Sequence, residues 1–206
     1  MSISYPLDLP TSIGFAEIEL RARNAVAISQ SPFTFATQTH SYSGQMWEVS
    51  VTIPPVRKDL AAPWKAFLTA LKGPTGTFLL GDPDYVSPRG SASVFPGNPT
   101  VTGQVGETIA ISGASRNKPG WLLAGDYIQI GTGGDATLHQ VLQDVNTDNS
   151  GGASIDVWPA VRQVRSGSVT ITNPKGVFRL KGNTSSWSIN NSSAYGISFE
   201  AMEAIS

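Results

Sequence analysis

Residues 45–53 read QMWEVSVTI, and their alternation predicts the class of the fold. Four apolar side chains share one face of an extended chain: Trp47, Val49, Val51 and Ile53. Polar side chains lie between them, and successive side chains of a β-strand point to opposite faces. Pro54 and Pro55 follow, and proline cannot donate to a β-ladder. The segment therefore predicts a strand with one buried face.

The chain on either side repeats this kind of signal. Residues 15–28, FAEIELRARNAVAI, place their charged side chains on one face at period two, which indicates a strand. Turn residues rich in Gly, Asn and Asp separate the later candidates. The later strands are predicted at 77–80, 108–112, 121–130, 137–145, 153–158, 169–172, 176–180, 187–189 and 195–202. The fold class predicted is mainly β, with a β-barrel or sandwich as its main domain.

One short amphipathic helix is predicted at about 59–72. Asp59 is the expected N-cap, and Gly73-Pro74 is expected to end the helix. Its apolar residues recur on one face at helical spacing. They are Leu60, Trp64, Phe67, Leu68 and Leu71. The helix is therefore expected to pack on a sheet.

A change of composition divides the chain. Residues 87–107 are rich in Gly, Ser and Pro, and they are interpreted as a linker or excursion. Two ranges, 1–89 and 166–206, are predicted to form a β host domain, with 90–165 as an inserted small, β-barrel-like module. Two or three β segments in series remain an alternative.

The composition favours assembly with other proteins. Charged residues make up 14% of the chain, against roughly 25% in typical domains, and the net charge is −1. A weakly charged surface is covered at little desolvation cost. No general attraction to nucleic acid or to anionic membranes is expected. With no cysteine, no signal peptide at residues 1–10 and no apolar run of about 20 residues, folding in a reducing cytoplasm is expected.

Motifs for catalysis, cofactors or metals are not recognised. His40 and His139 lie outside any relay motif, and surface or interface imidazoles are expected. Residues 131–134, GTGG, lie between strand candidates and indicate a hairpin turn instead of a phosphate loop. Alternating oxygen side chains at 144–150 resemble a calcium loop, but its glycine and glutamate positions hold Asn149 and Ile155. No enzyme, cofactor or metal site is predicted.

Two ordered sets of motifs carry a family resemblance. The first is GQMWEVSV at 44–51, WKAFL at 64–68 and GTFLLGDP at 76–83. The second is LLAGDYIQIG at 122–131, HQV at 139–141 and IDVWPAVR at 155–162. Their order resembles distal tail proteins, also called minor tail-tip proteins, of long-tailed (siphovirus-like) phages.

The resemblance implies a structural, non-enzymatic protein. It implies a ring, usually hexameric, that joins the tail tube to the tip or hub complex. Self, tail tube protein and tail hub proteins are the partners it implies, and the virion tail, assembled in the bacterial cytoplasm, is the implied location. Such proteins often carry a second β domain, sometimes one that binds carbohydrate.

A carbohydrate-binding β module is the alternative function. Flat aromatic faces that are only partly buried can stack on sugar rings of a host surface. The candidate glycan or partner contacts are Trp121, Trp158, Trp187 and Tyr195.

Overall fold

The computed structural model describes residues 3–205 and confirms a mainly β fold with one α-helix in that range. Met1, Ser2 and Ser206, at the outer ends of the predicted host domain, lie outside the described residues. The strands are β1 (Glu17–Gln30), β2 (Thr37–Val56), β3 (Thr77–Leu80), β4 (Gly97–Ala114), β5 (Tyr127–Ile130), β6 (Thr137–Val141), β7 (Ala153–Thr170), β8 (Gly176–Leu180), β9 (Trp187–Ile189) and β10 (Tyr195–Glu203). The helix, α1, spans Lys58–Ala70.

Six strands form the first sheet, in the order β1-β2-β10-β8-β3, with β9 paired to β10. The 20-residue β2 pairs with β1 on one side and, from Val56 to Glu48, with β10 on the other. The N-terminal segment covers the β3 edge. Leu7 donates its N–H to the Thr77 carbonyl (2.8 Å) and accepts from the N–H of Leu79 (2.9 Å). Within the described part of the chain, β1 at the opposite edge pairs only with β2.

The second sheet is built from β4, β7, β5 and β6, with an additional pairing between β7 and β6 that curls it towards a barrel. Its strands lie between β3 and β8 in the chain. Because β7 runs to Thr170, the predicted boundary at 165 falls inside a strand. The division into a host domain and an inserted module stays a prediction.

The interpretation of 87–107 as a linker is wrong for residues 97–107, which belong to β4. Two of the glycines that suggested a linker, Gly103 and Gly106, lie at irregularities of this strand. Its register with β7 shifts between Val101 and Gln104 and again around Gly106. Gly103 and Gly106 have φ values of +61° and +104°. A bulged strand can use glycine for such conformations, so composition alone misled the assignment.

The helix starts and ends close to the predicted limits, but its cap differs. Arg57 is the N-cap residue and makes no side-chain capping bond, whereas Asp59 lies in the first turn. A carboxylate in the first turn is stabilised by the helix dipole. Asp59 therefore favours the start of the helix through this charge interaction and not as the N-cap. Of the predicted apolar face, Leu60 is 36% exposed and the others are buried.

Aromatic rings connect the helix to the first sheet. Trp64 is 1% exposed and its ring contacts those of Phe15, Phe67 and Phe199 at centroid distances of 5.8–6.2 Å. Phe67 continues the chain of contacts to Phe78 at 5.4 Å. Such pairs add to the burial of apolar area. A second core lies in the other sheet around Trp121, Ile128 and Ile155.

Replacing Trp64 with alanine tests the first core. We expect Trp64→Ala to lower the free energy of unfolding by about 3–5 kcal/mol, because truncating a fully buried indole leaves a cavity in the core. Leu60→Ala on the same helix is the control, with an expected loss below about 1 kcal/mol. Urea denaturation followed by tryptophan fluorescence and far-UV circular dichroism measures both. Equal losses would contradict this view of the core.

Candidate assembly surface and the junction beneath it

The hairpin of β1 and β2 extends beyond the part of β2 that pairs with β10. We call residues 24–44 the arm. Except for the half-buried Ser31, every arm residue is exposed. The two strands of the arm pair with each other from Val26↔Ser41 to Gln30↔Thr37, after a register shift at Asn24. Among residues 3–205 nothing pairs with the outer sides of the arm, which therefore has two open β-edges.

The arm carries apolar surface without charge. From Asn24 to Trp47 the sequence contains no Asp, Glu, Lys or Arg. Its large exposed side chains are Val26, Ile28, Phe33, Phe35 and Tyr42. Soluble proteins usually protect an open edge with charged residues. The body half of β1 follows that rule with Glu17, Glu19, Arg21 and Arg23, and the arm does not.

Both faces of the arm are apolar in part. Cross-strand partners share a face, so Val26 and Ile28 lie on one face together with Ser41 and Thr39. The other face carries the His40 ring edge-on against that of Tyr42, at 4.7 Å. An antiparallel pair with one buried face would be polar on the other. Each face of the arm therefore exposes apolar side chains among polar ones.

A tight turn presents two phenylalanines at the tip. Ser31 closes the turn by accepting from the N–H of Phe35 (3.0 Å) and donating its own N–H to the Ala36 carbonyl (2.9 Å). Phe35 has φ +57°, which is rare for a bulky residue. Phe33 is 91% exposed and Phe35 is 72% exposed. Backbone conformations of this kind persist where surrounding structure holds them.

A shallow apolar groove lies on the outer side of α1. It has a volume of about 620 Å³. Three alanines one turn apart, Ala62, Ala66 and Ala70, line its floor, and Trp187 lines it from β9. The Trp187 ring is 40% exposed. The ammonium of Lys65 lies 5.5 Å from the Trp187 ring centroid.

The base of the arm is bound to the second sheet. Trp158 of β7 donates its indole N–H to the Asn24 side-chain oxygen at 2.8 Å. Gln45 accepts the N–H of Ala160 at 2.7 Å. Trp47 donates its indole N–H to the Leu138 carbonyl at 3.0 Å, and its ring meets that of Trp158 edge-on at 4.5 Å. These contacts hold the arm in a defined direction.

A buried ion pair completes the junction. Arg162 of β7 donates to both oxygens of Glu203 in β10, at 2.8 and 2.9 Å. Glu203 also accepts the backbone N–H of Trp47 at 3.2 Å, and Arg162 donates to the Gln45 carbonyl. The Glu203 side chain is 4% exposed. A bidentate pair in such surroundings specifies one relative position of the strands.

His139 lies buried beside this pair within the single chain, so the expectation of a surface or interface imidazole is wrong. Its Nδ1 is 2.6 Å from the Pro159 carbonyl oxygen, and its Nε2 is 2.8 Å from the Thr137 hydroxyl. Burial lowers the pKa of His139 from 6.5 to about 4, against the opposing effect of the Pro159 carbonyl. The ring is therefore neutral near pH 7.

The structure separates the four aromatics proposed as glycan contacts. Trp121 is 0% exposed and donates its indole N–H to the Phe95 carbonyl, so its ring has no face for a sugar and that expectation is corrected. Trp158 is half-buried in the junction. Tyr195 is 9% exposed beneath Lys65, at 4.7 Å. Of the four, only Trp187 is exposed. The ammonium of Lys65 lies over both the Trp187 ring and the Tyr195 ring.

The acidic turn motifs have structural partners. Asp126, in the AGD motif, is fully buried and accepts the N–H groups of Leu123 (2.9 Å) and Arg89 (3.2 Å). Asp148, in the segment that resembles a calcium loop, accepts from the hydroxyl of Ser150 and the N–H groups of Ser150 and Gly152 at 2.6–2.8 Å. The Ser150 hydroxyl, first, and these backbone bonds lower the pKa of Asp148. Across residues 3–205 no three His, Cys, Asp or Glu side chains are grouped for a metal.

The chain matches no protein-family model and no curated protein. The resemblance to tail-tip proteins therefore stays a prediction from motifs. No helix within residues 3–205 has the length and apolar character needed to cross a membrane. The geometry of the arm, the groove and the junction is what supports a function.

The arm is not among the predicted site residues, because those were chiefly tryptophans and the exposed rings of the arm belong to phenylalanine and tyrosine. A sequence signal for it exists. The 24 residues from Asn24 to Trp47 lack formal charge, although residues on both sides carry it. A charge-free β-hairpin of this length predicts an edge that is covered in the assembled state.

Removing the Glu203 carboxylate tests the junction. We expect Glu203→Ala to reduce the free energy of unfolding by about 3 kcal/mol, because Arg162 and the N–H of Trp47 lose a buried acceptor. Asp135→Ala is the matched control. Asp135 forms an ion pair with Arg165, which lies in the same strand as Arg162, but the Asp135 side chain is 81% exposed. Its expected cost is at most about 1 kcal/mol. Chemical denaturation measures both, and similar costs would contradict a special role for the junction.

The buried imidazole predicts a pH dependence. Between about pH 6.5 and 4 the unfolded chain binds a proton at His139 that the folded chain does not, so stability falls as the pH falls. We expect this group to contribute roughly 3 kcal/mol of loss by pH 4. His139→Gln should remove that part of the slope, whereas His40→Gln in the exposed arm should leave it. Denaturation curves at pH 7, 5.5 and 4 test the difference, and parallel curves for all three proteins would refute it.

Proposed function

We propose that this protein is a non-enzymatic structural subunit that assembles with copies of itself into a closed ring. The arm carries the proposal, since it leaves open edges and apolar side chains uncovered in the single chain. Assembly would pair those edges and bury that surface, and rotational closure would leave none exposed. The low charge of the chain supports the same conclusion.

The proposed setting is the tip of a long phage tail, where the ring joins the tail tube to the tip or hub complex. The ordered motifs that resemble distal tail proteins support this setting. Six copies, the tube and hub proteins as neighbours, and residence in the virion after assembly in the bacterial cytoplasm belong to the same proposal. The hydrogen bonds and ion pair of the junction fix the base of the arm, as a subunit with a defined contact surface requires.

Carbohydrate binding is a second candidate, favoured by one observation. Trp187 is 40% exposed and lies beside Ile189, which is 58% exposed, on the same strand. An exposed indole of this kind can stack on a sugar ring. Binding to a glycan array that Trp187→Ala abolishes, by a chain that stays monomeric, would favour this candidate over the ring.

The mass in solution tests the ring. Light scattering over a concentration series should detect a closed species of about 131 kDa, six times the 21.8 kDa chain, and negative-stain images should show rings. Ile28→Lys should weaken this assembly, because a charge would replace a side chain that is 69% exposed on the arm. Val94→Lys, at 71% exposure in the second sheet's part of the chain, is the matched control and should assemble normally. A monomer at every concentration would contradict the proposal.

A further inference from the structure

The body half of β1, residues 17–23, is an uncovered edge of the first sheet. At the other edge the N-terminal segment bonds to β3 through Leu7, whereas among residues 3–205 β1 pairs only with β2. The strand is regular here, because its register with β2 runs without a shift from Glu17 to Asn24. Such an edge presents a row of backbone N–H and C=O groups to a further strand. Its side chains decide which strand fits.

The charges of this edge form an antisymmetric pattern. Glu17, Glu19, Arg21 and Arg23 share one face, with two carboxylates before Leu20 and two guanidinium groups after it. A strand with this pattern is complementary to itself when a second copy runs antiparallel beside it. Two-fold symmetry about Leu20 places Glu17 opposite Arg23 of the other copy, and Glu19 opposite Arg21. Every charged contact in this register joins opposite charges.

Neighbouring registers lack this property. Antiparallel pairing centred on Glu19 brings the Glu19 carboxylates of the two copies face to face, and pairing centred on Arg21 does the same with two guanidinium groups. Like charges directly opposite each other destabilise a strand pair. A slip of one residue would turn the apolar face of one copy to the polar side of the other. The charges that protect this edge against other strands therefore also select one partner and one register.

The other face of the contact is apolar. About the same axis, Leu20 lies opposite Leu20 of the second copy, and Ile18 lies opposite Ala22. Ile18 and Leu20 are half-buried against the first core, and Ala22 is exposed. Pairing covers the part of these side chains that the single chain leaves in solvent, which favours association. The apolar layer of the first sheet then continues from one copy into the next.

Arg21 has donor capacity that the single chain does not use. Its Nε is buried and has no hydrogen-bond acceptor among residues 3–205. Carboxylate oxygens of Glu19 and Glu200 lie 3.6 and 4.0 Å from Arg21 nitrogens, too far for hydrogen bonds. A guanidinium forms its strong bonds to carboxylates at about 2.7–2.9 Å. In the paired arrangement, Glu19 of the second copy brings a further carboxylate to this guanidinium.

We infer that two copies of this chain pair antiparallel through residues 17–23 of β1, in the register centred on Leu20. The contact extends the first sheet across a two-fold axis. It goes beyond the proposed ring, because a two-fold contact is isologous and the contacts of a closed ring are heterologous. Where both form, the two-fold contact joins copies from two rings. Because the paired segment is short, the contact is weak in a single pair and stronger when many copies engage together.

Charge reversal tests the partner and the register. The reference chain carries Ile28→Lys, which removes the contribution of the arm. On this background, Glu19→Arg places guanidinium groups opposite each other at both Glu19–Arg21 contacts, and Arg21→Glu places carboxylates there. We expect each reversal alone to raise the concentration for half-dimerisation more than about tenfold, measured by sedimentation velocity.

Mixing the two reversed chains should restore the contact. Glu19→Arg on one copy and Arg21→Glu on the other return opposite charges to every position, so the heterodimer should form as readily as the reference dimer. Native mass spectrometry separates the two chains by mass. A folding defect cannot produce this rescue, because one misfolded chain does not repair another. Glu107→Arg on β4, also exposed, is the matched control for net charge and should leave dimerisation unchanged.

Disulfide trapping locates the axis. The chain has no cysteine, so any disulfide comes from introduced residues. Leu20→Cys places two thiols opposite each other with Cα atoms about 4.5–5.5 Å apart, within the range of a disulfide. Ala22→Cys is the control, because its two copies lie about 14 Å apart along the strands although Ala22 is the more exposed residue. Mild oxidation should give the covalent dimer of Leu20→Cys at least about fivefold faster, and equal rates would overturn the inference.

The pair and the ring fail separately. If the wild-type chain forms rings but the mixture of reversed chains dimerises no better than either alone, this pairing is wrong and the ring stands. If the wild-type chain stops at a dimer that both reversals weaken and their mixture restores, the ring is wrong and the pairing stands. A reference chain that stays monomeric at every concentration, or a dimer that survives both reversals, would overturn the inference.

Discussion

The carboxylate of Glu203 receives hydrogen bonds from two directions, the guanidinium of Arg162 in β7 and the backbone of Trp47 in β2. A buried carboxylate is stable only when its oxygens are satisfied, so this group permits one arrangement of the three strands it touches, β2, β7 and its own β10. Trp47 reinforces that arrangement with its indole bond to Leu138. The relation between the two sheets depends on this junction together with the first core, in which Leu138 of β6 is buried.

The junction also sets the direction of the arm. β2 begins in the arm, passes through the junction at Gln45 and Trp47, and ends in the first sheet. A single strand therefore links an exposed, charge-free hairpin to the buried, hydrogen-bonded junction. Preorganised surfaces lose little conformational entropy on association. This connection supports the proposal that the arm is an interaction element.

Much of the fold follows from local patterns. The limits of β3, β8 and β9 were predicted to the residue, and α1 was predicted within two residues, because each has turn residues at its ends and a regular period. The part of β4 at residues 97–107 was not predicted, because the glycines at its register shifts suggested a linker. Trp121 was misjudged because burial of an indole depends on which strands surround it, and no local pattern contains that information.

The sequence by itself determined the β class, the single helix, the absence of thiol chemistry and the low charge, because these depend on composition and on periods of a few residues. Only the tertiary structure decided that Arg162, Glu203 and Trp47 meet, that His139 is buried and that Trp187 remains exposed beside the helix. Those facts come from contacts between residues as many as 156 positions apart, which no sequence period records. The arm belongs to both levels, since its lack of charge is written in the sequence and its exposure follows from where β10 stops pairing with β2.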